Sequence, residues 1–148
     1  MPYLRITCPD ISWQRRRAVA ERLTEAVNDL FFNPRARLTR RELRERTTVH
    51  FAAYRENELF IGARTPEQRN ALDLTVEVSD WSMSVRQQRK VAAALTPCVA
   101  ELFNVPDAHR NAVNIRFHPY PPTDFAVGGK LLSDIVPWIG RLMKRVFG

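Results

Sequence analysis

The residue with the most distinctive chemistry in this sequence is Pro2. It follows Met1, and so small a second residue lets the initiator methionine be removed, leaving a secondary amine at the head of the chain. A terminal amine ordinarily titrates at roughly 7.7–8.0, and an apolar pocket or neighbouring cations lower it towards neutrality, where it both holds and releases a proton. Chain ends are usually frayed and inert. Here Tyr3 and Leu4 already belong to an alternating strand pattern, which should hold the amine at a sheet edge. Other reactive types are dispersed. Cys8 and Cys98 match no zinc or redox spacing, so no metal and no cofactor is expected. Lys and Arg total 23, and only Lys90, Lys130 and Lys144 are lysines, which leaves 20 arginines suited to forked carboxylate or phosphate contacts. A GC-rich coding sequence gives the same bias. The net charge of +7 favours an anionic partner. No recognition-helix motif, ribonucleoprotein-type aromatic pattern or GXXG loop points to nucleic acid.

The elements that must position Pro2 follow from composition and periodicity. A chain of 148 residues, 45% hydrophobic and 26% charged with five glycines, is a globular domain, which excludes disorder and a collagen-like fold. No apolar run reaches the roughly 18 residues of a membrane span, and no charged leader with an apolar stretch is visible. A reduced, cytoplasmic protein is expected.

The chain is written twice. A shift of 72 pairs Leu4 with Val76, Ile6 with Val78, Ser12 with Ser84, Val19 with Val91, Leu23 with Leu95 and Phe31 with Phe103. A shift of 66 then pairs Phe51 with Phe117, Tyr54 with Tyr120 and Gly62 with Gly128, so the first copy carries six extra residues within an Arg-rich insert at about 33–47. Each copy opens with period-two alternation, 3–7 and 74–78, and passes through a serine N-cap into helical spacing. Pro97 should kink the second helix. A second strand follows, near Thr48 to Ala53 and Asn111 to His118, and then a turn-rich hairpin, Tyr54 to Gly62 and Tyr120 to Gly129.

The fold expected is α/β (α+β): tandem β-α-β repeats forming a four-stranded sheet, with parallel strands inside each unit and two helices on one face. The first unit covers 2–66, the second 67–133, and an amphipathic tail 134–148, in one compact domain. The uncovered sheet face, if apolar, calls for self-association.

A β-α-β unit that starts with Pro2, occurs twice, and ends in Asp124-Phe125-Ala126-Val127-Gly128-Gly129-Lys130-Leu131 resembles the oxalocrotonate tautomerase superfamily, in its fused form, over residues 2 to 133. The resemblance implies a fold like that of the tautomerases and of macrophage migration inhibitory factor. It also implies Pro2 as catalytic base or acid, a small anionic enol or keto carboxylate as substrate, and a homotrimer of fused chains. Leu74 stands at the matching place of the second copy and has no free amine, so each chain offers one such centre.

The sequence departs from the family pattern where arginines should grip the carboxylate. The loop position falls on Ser12 and Ser84, with Arg15 to Arg17 and Arg86 as the nearest replacements, and the second-strand position falls on Asn114. Arg116 lies two residues on, on the same strand face, and His50 is its counterpart in the first copy. Arg116 and His50 are therefore the candidate substrate-facing groups, with Asn114 in support and Phe125 as an apolar wall. Arg116 pairing with Glu77, and His50 as an interface histidine, are the structural alternatives.

Hydratase, dehalogenase or decarboxylase branches of the superfamily are the alternative activities, with Glu56, Glu58 and Asp124 as candidate water-activating acids. Val27 falls where one dehalogenase class has a helix histidine, which weighs against that branch. A catalytically degenerate oligomeric binding protein is a further reading. In the insert, Thr39 and Glu42 have capping-box spacing, which predicts a short helix over 40–46, either a solvated helix with local ion pairs or a lid that supplies an arginine. The tail's stripe of Ile135, Trp138, Ile139, Leu142, Met143 and Val146 should pack across a neighbouring subunit.

Overall fold

A computed structural model describes residues 1–34 and 38–136. Arg35 and Arg37 of the insert, and the tail's stripe from Trp138 to Val146, lie outside the described residues. The elements run β1 (Tyr3–Pro9), α1 (Trp13–Phe31), α2 (Arg40–Glu45), β2 (Thr48–Tyr54), α3 (Pro66–Arg69), β3 (Leu74–Trp81), α4 (Val85–Leu102), β4 (Val113–Tyr120), β5 (Ala126–Val127), β6 (Lys130–Leu131) and α5 (Leu132–Ile135).

The main sheet has the order β2-β1-β3-β4. β1 pairs parallel with β2 and β3 parallel with β4, as β-α-β crossovers require, and the two units meet antiparallel along β1 and β3. The Tyr3 and Ser79 register, continued one residue at each end, sets Pro2 opposite Asp80 and Cys8 opposite Leu74. The shift of 72 exchanges these two pairs, so the seam has a pseudo-two-fold axis.

Alternation sorts the strand residues. Leu4, Ile6, Val76 and Val78 have no exposed surface and pack under Val19, Leu23 and Val27 of α1 and Val91, Leu95 and Val99 of α4. Both long helices start at the predicted serines, whose side chains accept from Arg15 N at 3.3 Å and Gln87 N at 3.2 Å. Helix α4 runs from Val85 to Leu102 as one element with Pro97 inside it. The missing donor falls in the last turns of a helix whose Leu95 and Val99 are held in the core.

The other sheet face is not apolar, which corrects that condition for self-association. It carries Arg5, Glu77, Asn114, Arg116 and His118, and Glu77 lies 3.7 Å from Arg5 and 3.4 Å from His118. Apart from Asp80 at the end of β3, the charged members of the alternating pattern point this way, so this face is a charged lattice.

The insert folds as its capping box predicts. Thr39 Oγ1 accepts from Glu42 N, and the Glu42 carboxylate accepts from the Thr39 backbone N–H at 2.8 Å. Buried Asn28 of α1 donates to Arg40 O at 2.7 Å and docks α2 onto α1. After β4, a 3-10 turn at Pro122–Asp124 leads to the β5–β6 hairpin, whose turn, Gly128-Gly129, has positive φ at both residues. Only glycine takes that backbone readily twice in succession. The first copy has a single Ile61–Arg64 bridge there, followed by α3, an element the pattern did not announce.

Candidate functional site

Antiparallel pairing of β1 and β3 brings four things to one end of the sheet: the start of β1, the end of β3, the end of β4, and the strand-to-hairpin turn. Pro2 is buried there, and its carbonyl accepts from Thr48 N at 3.1 Å, which ties it to the first residue of β2. The terminal ammonium of Met1 donates to Asp80 Oδ1 at 2.7 Å, and Asp80 is 1% exposed. The amino terminus is thus held against a desolvated carboxylate, not in an environment of cations.

Tyr120 and Phe125 close the same end. Their rings lie 5.8 Å apart, tilted by 37°. Burial, reinforced by the charge of Asp80, pushes the Tyr120 phenol up to about 12. It is therefore a protonated hydrogen-bond donor at any neutral pH, beside an apolar wall.

The sequence-predicted residues divide into two groups. Pro2 and Phe125 lie at this end. Arg116 and Asn114 lie on the charged sheet face, whereas Pro2 falls on the face that packs against the helices. Arg116 is also two strands away, about 10 Å, and three residues along, about 10 Å. Asn114 donates to Asp73 at 3.5 Å. Arg116 stands opposite Glu77 in register, although the carboxylate of Glu77 meets Arg5 and His118. His50 shares that face, and its Nδ1 lies 2.8 Å from the Tyr3 hydroxyl.

Three of the four replacement arginines are committed elsewhere. Arg15 donates to Leu102 O at 3.1 Å, Arg16 to Ile11 O at 3.1 Å and Arg17 to Glu21 at 3.0 Å. In the insert, Arg40 pairs with Asp29 at 2.8 Å, Arg41 with Glu45 at 2.9 Å, and Arg44 with Glu25. The Arg41–Glu45 pair lies within α2, whereas those of Arg40 and Arg44 reach across to α1. Glu56 and Glu58 follow β2 at the far end of the sheet, and the Glu58 carboxylate accepts from Arg55 N. Asp124 lies at the Pro2 end, beside Phe125 in sequence.

Sequence reasoning missed Asp80. The signal was present: Leu74, Val76 and Val78 define the apolar side of β3, and the next residue on that side is an acid. Its counterpart in the first copy is Cys8. Among the described residues, no group of three or more His, Cys, Asp or Glu is placed to hold a metal, and no helix is long and apolar enough to cross a membrane.

No protein-family model matches the sequence, and no curated relative matches it. Solved structures do match. A native fused 4-OT, that is 4-oxalocrotonate tautomerase, superposes with a TM-score of 0.73 at 20% identity, over 90% of this chain and 98% of that one. A member of the cis-3-chloroacrylic acid dehalogenase family matches at 0.65 and 19% identity, over 98% and 99%. Macrophage migration inhibitory factor of Toxoplasma gondii matches at 0.59 and 18%, over 87% and 98%. The fold is that of the fused tautomerase structures.

Proposed function

We propose that this chain is a fused member of the tautomerase superfamily, a cytoplasmic isomerase that uses Pro2, after removal of Met1, for proton transfer on a small enol or keto carboxylate. The observation that carries this reading is the placement of the amino terminus: Pro2 is buried, and the nitrogen that precedes it is 2.7 Å from a buried carboxylate. Ordinary termini are solvated and unpartnered. We assign to the same end of the sheet a hydrogen-bond donor, the Tyr120 phenol that stays protonated, and an apolar wall, the Phe125 ring against it.

Ketonisation of an enol acid releases the hydroxyl proton to water, and the negative charge that develops on that oxygen must be met by fixed positive or donor groups. Tyr120 is assigned to the substrate oxygen nearest the amine. Arg116, His50 and Asn114 are assigned to the substrate carboxylate. Because they occupy the charged sheet face, we assign them to the site of a neighbouring copy in a homotrimer, as one fused 4-OT neighbour is an asymmetric trimer.

The test uses processed protein, with loss of Met1 verified by intact mass, and follows ketonisation of phenylenolpyruvate and 2-hydroxymuconate. Pro2→Ala is expected to lower kcat by about 10²–10⁴-fold, the ordinary contribution of a positioned acid or base. Full turnover in that variant removes proline from the mechanism. No turnover of any enol acid by the wild type favours a binding protein.

A further inference from the structure

Asp80 occupies the apolar side of β3, directly after Val78, and is 1% exposed. Desolvating a carboxylate is costly unless a cation meets it. Here the cation is the chain's own terminal ammonium, 2.7 Å from Oδ1.

The pseudo-two-fold seam supplies an internal control. Where the first copy has Pro2 facing Asp80, the exchanged position has Leu74 facing Cys8, and both of those are fully buried. The half with an amine has an acid, and the half without an amine has a thiol. Burial pushes that thiol up to about 11, so it carries no charge at neutral pH. An acid retained only where a terminus exists points to a charge pair between the two.

We infer that Asp80 is the resident counter-ion of the processed amino terminus, a positioning residue that keeps the Pro2 amine cationic. The inference rests on Pro2 being the reacting group. Removal of Met1 takes one ammonium from the carboxylate and creates another one residue further in, within about 6 Å of Oδ1 by chain geometry. An opposite charge at that range favours the protonated amine.

The consequence is a direction of use: the amine acts first as an acid. Its N–H bond breaks as a C–H bond forms on an electron-rich enol or dienol acid, and the N–H electron pair stays on nitrogen. The enol hydroxyl proton passes to water, and water returns a proton to the amine. The site is therefore built for ketonisation, not for abstraction of a proton from a keto acid.

The titratable groups on the elements that meet at this end are Tyr3 and Arg5 of β1, Asp80 and Glu77 of β3, Tyr120, His118 and Arg116 of β4, His50 of β2, Arg46 ahead of β2 and Asp124 before Phe125. Asp80 is the group in ion-pair contact, and its replacement separates its effect from theirs.

The experiment titrates the amine without turnover. Processed protein labelled with ¹⁵N-proline is followed by NMR, and a small acylating reagent reports the free base at the N-terminal peptide by mass spectrometry. The reference is a short peptide that begins Pro-Tyr-Leu. The expected result is a wild-type midpoint above that of the peptide, about tenfold or faster labelling of Asp80→Asn below that midpoint, and return towards the wild-type profile in Asp80→Glu. A wild-type midpoint at or below the peptide's, or Asp80→Asn labelling at the wild-type rate, overturns the inference. If Asp80→Asn does not fold, the wild-type midpoint against the peptide decides alone. A high midpoint in a protein without enol-acid turnover refutes the catalytic reading and leaves the counter-ion in place, so the two failures are distinguishable.

Discussion

Tyr54 and Tyr120 occupy the same place in the two copies, and replacing each by phenylalanine should give opposite results. The Tyr54 hydroxyl donates to Asp73 O at 3.1 Å and accepts from Asp73 N at 3.2 Å, so one side chain ties the end of β2 to the residue before β3. Tyr54 is 7% exposed, and water does not easily replace the lost oxygen. Two neutral hydrogen bonds at about 1 kcal/mol each give a loss of about 2 kcal/mol for Tyr54→Phe. For a chain of this length that lowers the melting midpoint by roughly 4–8 °C. The assay is thermal and urea denaturation by circular dichroism at one fixed protein concentration, since assembly shifts the midpoint. The urea m-value should be unchanged. A loss under about 0.5 kcal/mol refutes the two-bond tie. So does an equal loss in Tyr120→Phe, whose ring lies against Phe125 at the other end of the sheet.

Three further outcomes follow from the same geometry. Tyr120→Phe should lower kcat for enol acids about tenfold or more while the melting midpoint stays near wild type, because the hydroxyl it removes is assigned to substrate. Thr39→Ala removes the cap of α2 and should cost about 1 kcal/mol, with faster amide exchange confined to 39–46, measured by hydrogen exchange and mass spectrometry. Buried Cys8 holds its proton to about 11 when folded, against an ordinary 9.0. Below pH 9 the thiol is protonated in both states, and between 9 and 11 only the unfolded chain releases the proton, so stability falls across that window. Cys8→Val should flatten the fall, read as urea midpoints from pH 8 to 11.

Much of the architecture was legible because it is periodic. Leu4, Ile6, Val76 and Val78 announce the buried strand faces, Ser12 and Ser84 announce the helix starts, and the repeat announces two equivalent units. The capping box at Thr39 is a local device and was read locally. The charged sheet face was also written in the sequence, since Arg5, Glu77 and Arg116 alternate with the core residues. Its polarity emerges only once pairing sets those residues side by side. α3 was missed because one turn is too short for periodicity to register. Alternation along β3 marks Asp80 as an acid on the apolar side, but its place opposite Pro2 needed the antiparallel register of β1 and β3, which alternation within either strand does not specify. The same register places Arg116 and Asn114 on the face away from Pro2 within one chain, a relation that counting along the sequence cannot express.

The unequal ends of the β1–β3 seam show what joining two units in a single chain permits. Two separate copies around a true two-fold axis have two free termini, and any residue at the place of Asp80 then appears twice, each time with an amine available to neutralise it. Covalent linkage abolishes one of those amines, because Leu74 is an internal residue. A carboxylate left at the place of Cys8 would be a stranded charge in a dry seam, and Cys8→Asp should unfold the domain for that reason. Fusion thus obliges the two ends to diverge: one holds a terminal ammonium against a carboxylate, and the other has ordinary greasy packing that helps weld the halves together.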